Sequence, residues 1–265
     1  MPLAKPNYLV QLQGPELQQA LPDLERGVCG LEVSAFASPQ LLDGDWQREL
    51  EQWKALCRSV PGLISVHGPF LDLSPASPEP GLRRLTAKRY RQALAVAKAL
   101  QASYLVLHTQ YNPNLTQPDY SYIWEEASLR WFEQLLPEIE DAGVKVVLEN
   151  VWDQTPEPLA RLLDRLPPSR FGACLDAGHA HVYSTVPWSE WVDTLGERLT
   201  YLHLSDNHGT WDEHLALGQG NADILGLLST LQSRNRYLPC VLELERWVDV
   251  EQSLQWLGWG NSTME

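Results

Sequence analysis

The sequence predicts an α/β fold, a single (β/α)8 barrel of the TIM barrel type spanning residues 1–265. Three observations lead there. Eight short apolar runs recur along the chain. A stretch of helical character follows each of them. All seven histidines (67, 108, 179, 181, 203, 208 and 214) fall at the trailing end of a run or in the loop after it. Strict strand–helix alternation with continuously apolar strands is the pattern of a parallel sheet with helices on its faces. About 250 residues is the usual length for closing eight such units into a ring.

The first strand is "YLVQLQ" (8–13), with an amphipathic stretch from Pro15 to Arg26 after it. "VCGLEVSAF" (28–36) is the second, followed by a polar helix over 45–60. "LISVHG" (63–68) and a helix over 82–102 make the third unit, "YLVLHT" (104–109) and a helix over 122–142 the fourth. Gly143 is placed to cap that helix in the left-handed conformation, and Pro137 inside it should kink it. "VKVVLEN" (144–150) with 156–166, "FGACLDAGH" (171–179) with 187–197, and "LTYLHLSD" (199–206) with 222–234 follow. "LPCVLELE" (238–245) and a short helix over 250–257 complete the set. The tail 258–265 has too little apolar content to pack and is expected to fray. An open doubly wound sheet is the alternative. It usually carries a glycine-rich phosphate loop after strand one, and "QGPEL" stands there instead.

No run of eighteen apolar residues exists, so no membrane span is expected. The opening "MPLAKPNYLVQLQ" has no long apolar segment with a cleavage site, so no secretory signal is expected. Cys29, Cys57, Cys174 and Cys240 are far apart, and three sit in apolar runs, which reads as buried free thiols in a reducing, cytoplasmic setting. The net charge of −14 disfavours a polyanionic partner. That argument weakens if several carboxylates hold divalent ions. The densest basic run, "RRLTAKRYR" (83–91), opens a helix and reads as a solvated outer face.

Catalytic groups in such a barrel stand at the C-terminal ends of the strands. There the third strand has His67, the fourth His108, the fifth Glu149 and Asn150, and the sixth Asp176 with His179 one turn on. The seventh ends in His203, its loop adding Asp206, His208, Asp212 and His214. The eighth ends in Glu243, with Glu245 two residues on. Any one of these has a structural explanation. Six consecutive strands ending in metal-type side chains do not, because gathering those carboxylates without cations leaves buried charge uncompensated. Imidazole plus carboxylate without cysteine suits Zn²⁺, Mn²⁺, Co²⁺ or Fe²⁺.

With these residues in view, the chain resembles the xylose isomerase-like barrel superfamily, which holds sugar isomerases and epimerases and the endonuclease IV proteins, also called apurinic endonuclease family 2. The similarity covers nearly the whole chain, and "VLEN", "CLDAGHAH" and "HLSDNHGTWDEHLALGQG" carry it. The resemblance implies one to three divalent ions. One would use His67, His108 and Glu149. A second would share Glu149 and add Asp176, His203 and Glu243. A third would use His179, Asp212 and His214. Gly218 and Gly220 would let the loop double back towards the site.

Two chemistries follow from the resemblance. The first is sugar or sugar-phosphate isomerisation or epimerisation by metal-assisted proton transfer, with Glu149 and Glu243 as the catalytic carboxylates on opposite sides of the substrate. Trp152, Trp211 and Trp247 follow strands five, seven and eight and could stack on sugar faces, with core packing as their other role. Arg246 could meet a phosphate or serve as a structural ion pair. The second chemistry is endonuclease IV-like phosphodiester hydrolysis by a multinuclear zinc centre. The rim has few basic residues and short loops, which favours a small carbohydrate or phosphorylated metabolite over nucleic acid. Oligomeric state is left open by the sequence.

Overall fold

The computed structural model describes residues 7–259. It has eight strands: β1 (Tyr8–Val10), β2 (Gly30–Val33), β3 (Ile64–His67), β4 (Tyr104–His108), β5 (Lys145–Glu149), β6 (Phe171–Asp176), β7 (Leu199–Leu204) and β8 (Cys240–Leu242). All pair in parallel with their sequence neighbours, and β1 pairs with β8, so the barrel closes. Helices α1 (Gly14–Glu25), α2 (Pro39–Asp43), α3 (Trp46–Ser59), α4 (Pro80–Leu100), α5 (Tyr120–Ala142), α6 (Glu157–Arg165), α7 (Ala177–Tyr183), α8 (Trp188–Leu195), α9 (Ile224–Ser233) and α10 (Trp247–Trp256) fill the connections.

Local chemistry sets the helix starts. Asp45 caps α3 by accepting the Arg48 N–H, Glu79 caps α4 at Gly81, and Asp223 caps α9 at Gly226. Pro80 occupies the first position of α4, where its missing N–H costs nothing. Gly143 ends α5 at a φ of 71°. The same helix runs continuously through Pro137.

The barrel interior explains how the site is placed. Leu9, Val106, Val147, Cys174, Tyr201 and Val241 form a small buried cluster of their own. Successive side chains of a strand alternate faces, so residues two further on point the same way one level higher. Those are Gln11, His108, Glu149, Asp176, His203 and Glu243. A larger apolar cluster between strands and helices holds the rest of the core.

Three expectations need correction. The second strand stops at Val33, and a 3-10 turn over Ala35–Ala37 and the short α2 follow it. The sixth strand ends at Asp176, as expected, and the Asp176 side chain accepts the His179 N–H at 2.6 Å and starts α7 there. The other two corrections lie at the C-terminal end. The helix after β8 begins at Trp247, three residues early. The tail does not fray at its start. Trp259 meets the Tyr8 ring edge-on at 5.6 Å, and its N–H donates to the Leu254 carbonyl at 2.8 Å. Residues 260–265 lie outside the described residues. All four cysteines are buried and free. No described helix is long and apolar enough to cross a membrane.

Candidate metal centre

His203 on β7 is fully buried and stands at the middle of the site. Its Nδ1 lies 3.0 Å from Glu243 Oε2, 3.5 Å from Glu149 Oε1 and 3.8 Å from Asp176 Oδ2. The second oxygen of Glu149 faces two further imidazoles, His67 Nε2 at 3.3 Å and His108 Nε2 at 3.5 Å. On the other flank, His179 Nδ1 lies 3.3 Å from Glu149 Oε1 and its Nε2 lies 3.3 Å from Asp212 Oδ2. Asp212 Oδ2 also meets His214 Nε2 at 2.6 Å. All nine expected ligand residues therefore form one continuous chain of contacts at the strand ends.

Among the described residues, two groups have ligand atoms all within 4.8 Å of one another: His67, Glu149 and His203, and the quartet Glu149, Asp176, His203 and Glu243. Buried polar atoms are nearly always hydrogen-bonded. Yet Glu149 Oε2, Glu243 Oε2, Asp212 Oδ1 and His203 Nδ1 have no hydrogen bond of acceptable geometry, while His203 Nε2 is turned to Glu32 at 3.1 Å. Orphaned acceptors that face one another in a buried pocket are the arrangement a cation satisfies. The donor set fits a divalent transition metal.

The imidazoles are oriented from behind. His67 Nδ1 is 2.9 Å from the Gly68 carbonyl, His179 Nδ1 is 3.0 Å from the Asn150 carbonyl and His214 Nδ1 is 2.9 Å from the Glu243 carbonyl. A ring N–H donated to a backbone carbonyl leaves Nε2 as the lone-pair nitrogen, and in each case Nε2 faces the site. Phe70 stacks on His108 at 4.5 Å and walls the pocket.

Electrostatics follow from this crowding. Burial alone would raise Glu149 and Glu243, but the surrounding imidazoles together, His203 foremost, hold both carboxyls below the ordinary range. Burial pushes Asp176 up to about 7. Burial opposes charge on His67 as well, yet the adjoining Glu149 carries it up to about 8. His214 is opposed by burial and raised by Asp212, to about 10. For His108, burial with the neighbouring His67 and His179 outweighs the pull of Glu149 and lowers it to about 3.

Several expected contributors stand elsewhere. His208 is exposed and pairs with Glu213 at 2.9 Å, and His181 Nε2 meets Asn221 Oδ1 at 2.7 Å. Asp206 is buried but accepts four backbone N–H groups, those of Asn207, Gly218, Gly220 and Ala222. It folds the loop rather than joining the site. Gly218 has a φ of 85°, and a Cβ on Gly220 would stand 2.3 Å from the Asn207 carbonyl oxygen, so the loop doubles back as expected. Trp247 corrects an expectation: it is 4% exposed and packed in the core, with no face for a sugar. Arg246 is engaged at 2.6 Å by both oxygens of Asp249. Trp152 and Trp211 are exposed. Three of the five basic residues in the run on α4 are held in ion pairs, Lys88 and Arg89 with Asp43 and Arg91 with Glu138, and Arg83 donates to the Ser77 and Pro78 carbonyls.

Residues 24–258 match the family described as xylose isomerase-like TIM barrel. The chain belongs to that family. An uncharacterized protein of Methanocaldococcus jannaschii is 32% identical over 64% of this chain, the match spanning 60% of that relative's length. The fructoselysine 3-epimerase of Escherichia coli is 25% identical over 83% of this chain and 82% of its own. Among solved structures, a D-tagatose 3-epimerase-like protein superposes with a TM-score of 0.78 at 25% identity, covering 95% of this chain and 96% of the other. A Thermus thermophilus protein soaked with ZnCl₂ also gives 0.78, at 29% identity, over 98% and 100%.

Proposed function

We propose that this chain is a divalent-metal-dependent epimerase or isomerase of a small sugar or sugar phosphate, working by proton transfer at a carbon beside a carbonyl. The observation that carries the reading is the pairing of Glu149 and Glu243. Both are buried or nearly so and approach the same His203 nitrogen, at 3.5 and 3.0 Å. They come from β5 and β8, three strands apart in a ring of eight, so they reach the centre from different sides. The fructoselysine epimerase relative supports the same class.

Glu149, Asp176, His203 and Glu243 would hold the ion. When bound, it would polarise neighbouring substrate oxygens and acidify the C–H between them. The rest falls to the chain. Held below the ordinary carboxyl range, Glu149 and Glu243 are ionised at neutral pH and competent to accept that proton. One carboxylate takes the proton from its face, the other takes up a proton from solvent and delivers it to the opposite face, and the carbon is inverted. His67, His108 and the stacked Phe70 wall the pocket against water. A groove of about 1550 Å³, lined in part by Phe70, Ile123, Trp124 and Trp152, ends on His108 and His179 and gives the substrate its approach. Trp152, 46% exposed at that groove, is the aromatic platform available to a sugar face.

The hydrolase alternative draws on His67, His108, His179, Asp212 and His214, which stand beside the quartet and would serve a multinuclear zinc centre. The two readings separate in one experiment. A ketose panel is incubated in D₂O with chelator-treated protein, with and without Mn²⁺, Co²⁺ or Zn²⁺. NMR should show an epimer or isomer carrying deuterium at the reacting carbon only when metal is present. Sugar chemistry undiminished by chelation, or cleavage of a phosphodiester in place of sugar chemistry, overturns the proposal.

A further inference from the structure

Strands β1 and β2 supply no ligand to the proposed centre, yet each sends one polar side chain against it. Glu32 on β2 is fully buried. Its Oε2 accepts from Ser65 Oγ at 2.9 Å and lies 2.9 Å from the Tyr201 hydroxyl, which is itself 2.6 Å from Ser65 Oγ. Its Oε1 stands 3.1 Å from His203 Nε2 and accepts from Gln11 Nε2 at 3.3 Å. Gln11, just past β1, donates from the same nitrogen to Glu243 Oε1 at 3.1 Å.

A carboxylate at that depth is costly to bury, and packing alone would be served as well by a neutral side chain. The arrangement has a directional consequence instead. His203 presents Nδ1 to Glu149, Asp176 and Glu243, and Nε2 to Glu32. A carboxylate behind one ring nitrogen keeps the hydrogen there and leaves the other nitrogen to bind. The Gln11 amide does the matching work on Glu243. It engages Oε1 and leaves Oε2 unbonded, facing His203 Nδ1.

We propose that Glu32, tied to Glu243 through Gln11, is the positioning residue that selects which nitrogen of His203 and which oxygen of Glu243 enter the metal centre. The inference rests on the metal reading above. It gives β1 and β2, which carry no ligand, a defined task in the site: they build its floor.

The test uses the full chain freed of metal by chelation and titrated with Co²⁺ alone. Affinity is read by competition with a chromophoric chelator, and ligand geometry by the visible Co²⁺ absorption bands. Glu32→Gln keeps shape and removes charge. It should weaken Co²⁺ binding by roughly 10–100-fold and change the bands, because either nitrogen of His203 can then bind. Gln11→Ala should move both readouts in the same direction by less. Metal-free melting should separate this from simple bracing. A Glu32→Gln protein that melts lower yet binds Co²⁺ with the wild-type affinity and spectrum overturns the inference, as does one unchanged throughout. If Glu32→Gln fails to fold, Gln11→Ala decides, and wild-type Co²⁺ behaviour in that variant overturns it. A wild-type chain that takes up no Co²⁺ strikes the metal reading itself, a result distinct from wild-type uptake that Glu32→Gln leaves untouched.

Discussion

Asp206 and Asp212 stand in the same loop and do different work. Asp212 faces His179 and His214. Asp206 gathers four backbone N–H groups onto one buried carboxylate and so ties down the turn that carries Asp212 and His214. Replacing Asp206 by Ala leaves those donors without their acceptor, and the expected cost is about 3 kcal/mol. Urea unfolding of the metal-free chain measures it, and a shift below about 1 kcal/mol, the net worth of a single ordinary hydrogen bond, contradicts the role. At this scale the sequence was informative but indiscriminate. Ligand-type residues at strand ends were visible, while the difference between Asp206 and Asp212 depends on which backbone amides the loop brings round. Glu32 lies within its strand and Gln11 is not a metal-type residue, so neither belongs to the strand-end pattern. A carboxylate in the middle of an otherwise apolar strand was the signal that marked Glu32.

Among the elements, the β6–α7 junction shows how local chemistry set the site. Asp176 uses Oδ1 to cap α7 and turns Oδ2 towards His203. The cap brings His179 back over the pocket. "CLDAGHAH" therefore switches from strand to helix at the aspartate, a change that apolar periodicity, blind to capping geometry, cannot locate to the residue. On the outside of the barrel, Glu125 of α5, 5% exposed, binds Arg161 and Arg165 of α6, both at 2.9 Å. Those arginines are partly solvated, which limits what the cluster contributes. Glu125→Ala should lower stability by about 1–2 kcal/mol with Co²⁺ affinity unchanged. Loss of metal binding in that variant would show that the α5–α6 contact supports the site as well as the shell.

For the whole molecule, ring closure was legible because eight apolar runs alternate with helices, and the site was legible because strand alternation stacks its residues one level above the inner core. The protonation of the pocket was not, since it arises from groups far apart in sequence. In the metal-free chain, His67 is carried up to about 8 and His214 to about 10, against about 6.5 in an unfolded chain. Burial raises Asp176 to about 7. Each of these groups holds a proton more tightly when folded. Their contribution is present in full below the unfolded values and is lost as pH rises through the folded ones. Metal-free protein should therefore melt at lower temperature at pH 8 than at pH 6.5. With metal bound the trend should reverse, because protons no longer compete for the ligands. Calorimetric scans at the two pH values, with and without Mn²⁺, check this, and parallel trends in the two forms contradict it.

The proposed function requires one cation where side chains of β5, β6 and β7 meet Glu243, just past β8, at the mouth of the barrel. Anomalous diffraction from crystals grown with Mn²⁺ or Co²⁺ locates it. A strong peak is expected, enclosed by Glu149, Asp176, His203 and Glu243. Metal found only at other residues, with those four side chains left uncoordinated, would contradict it.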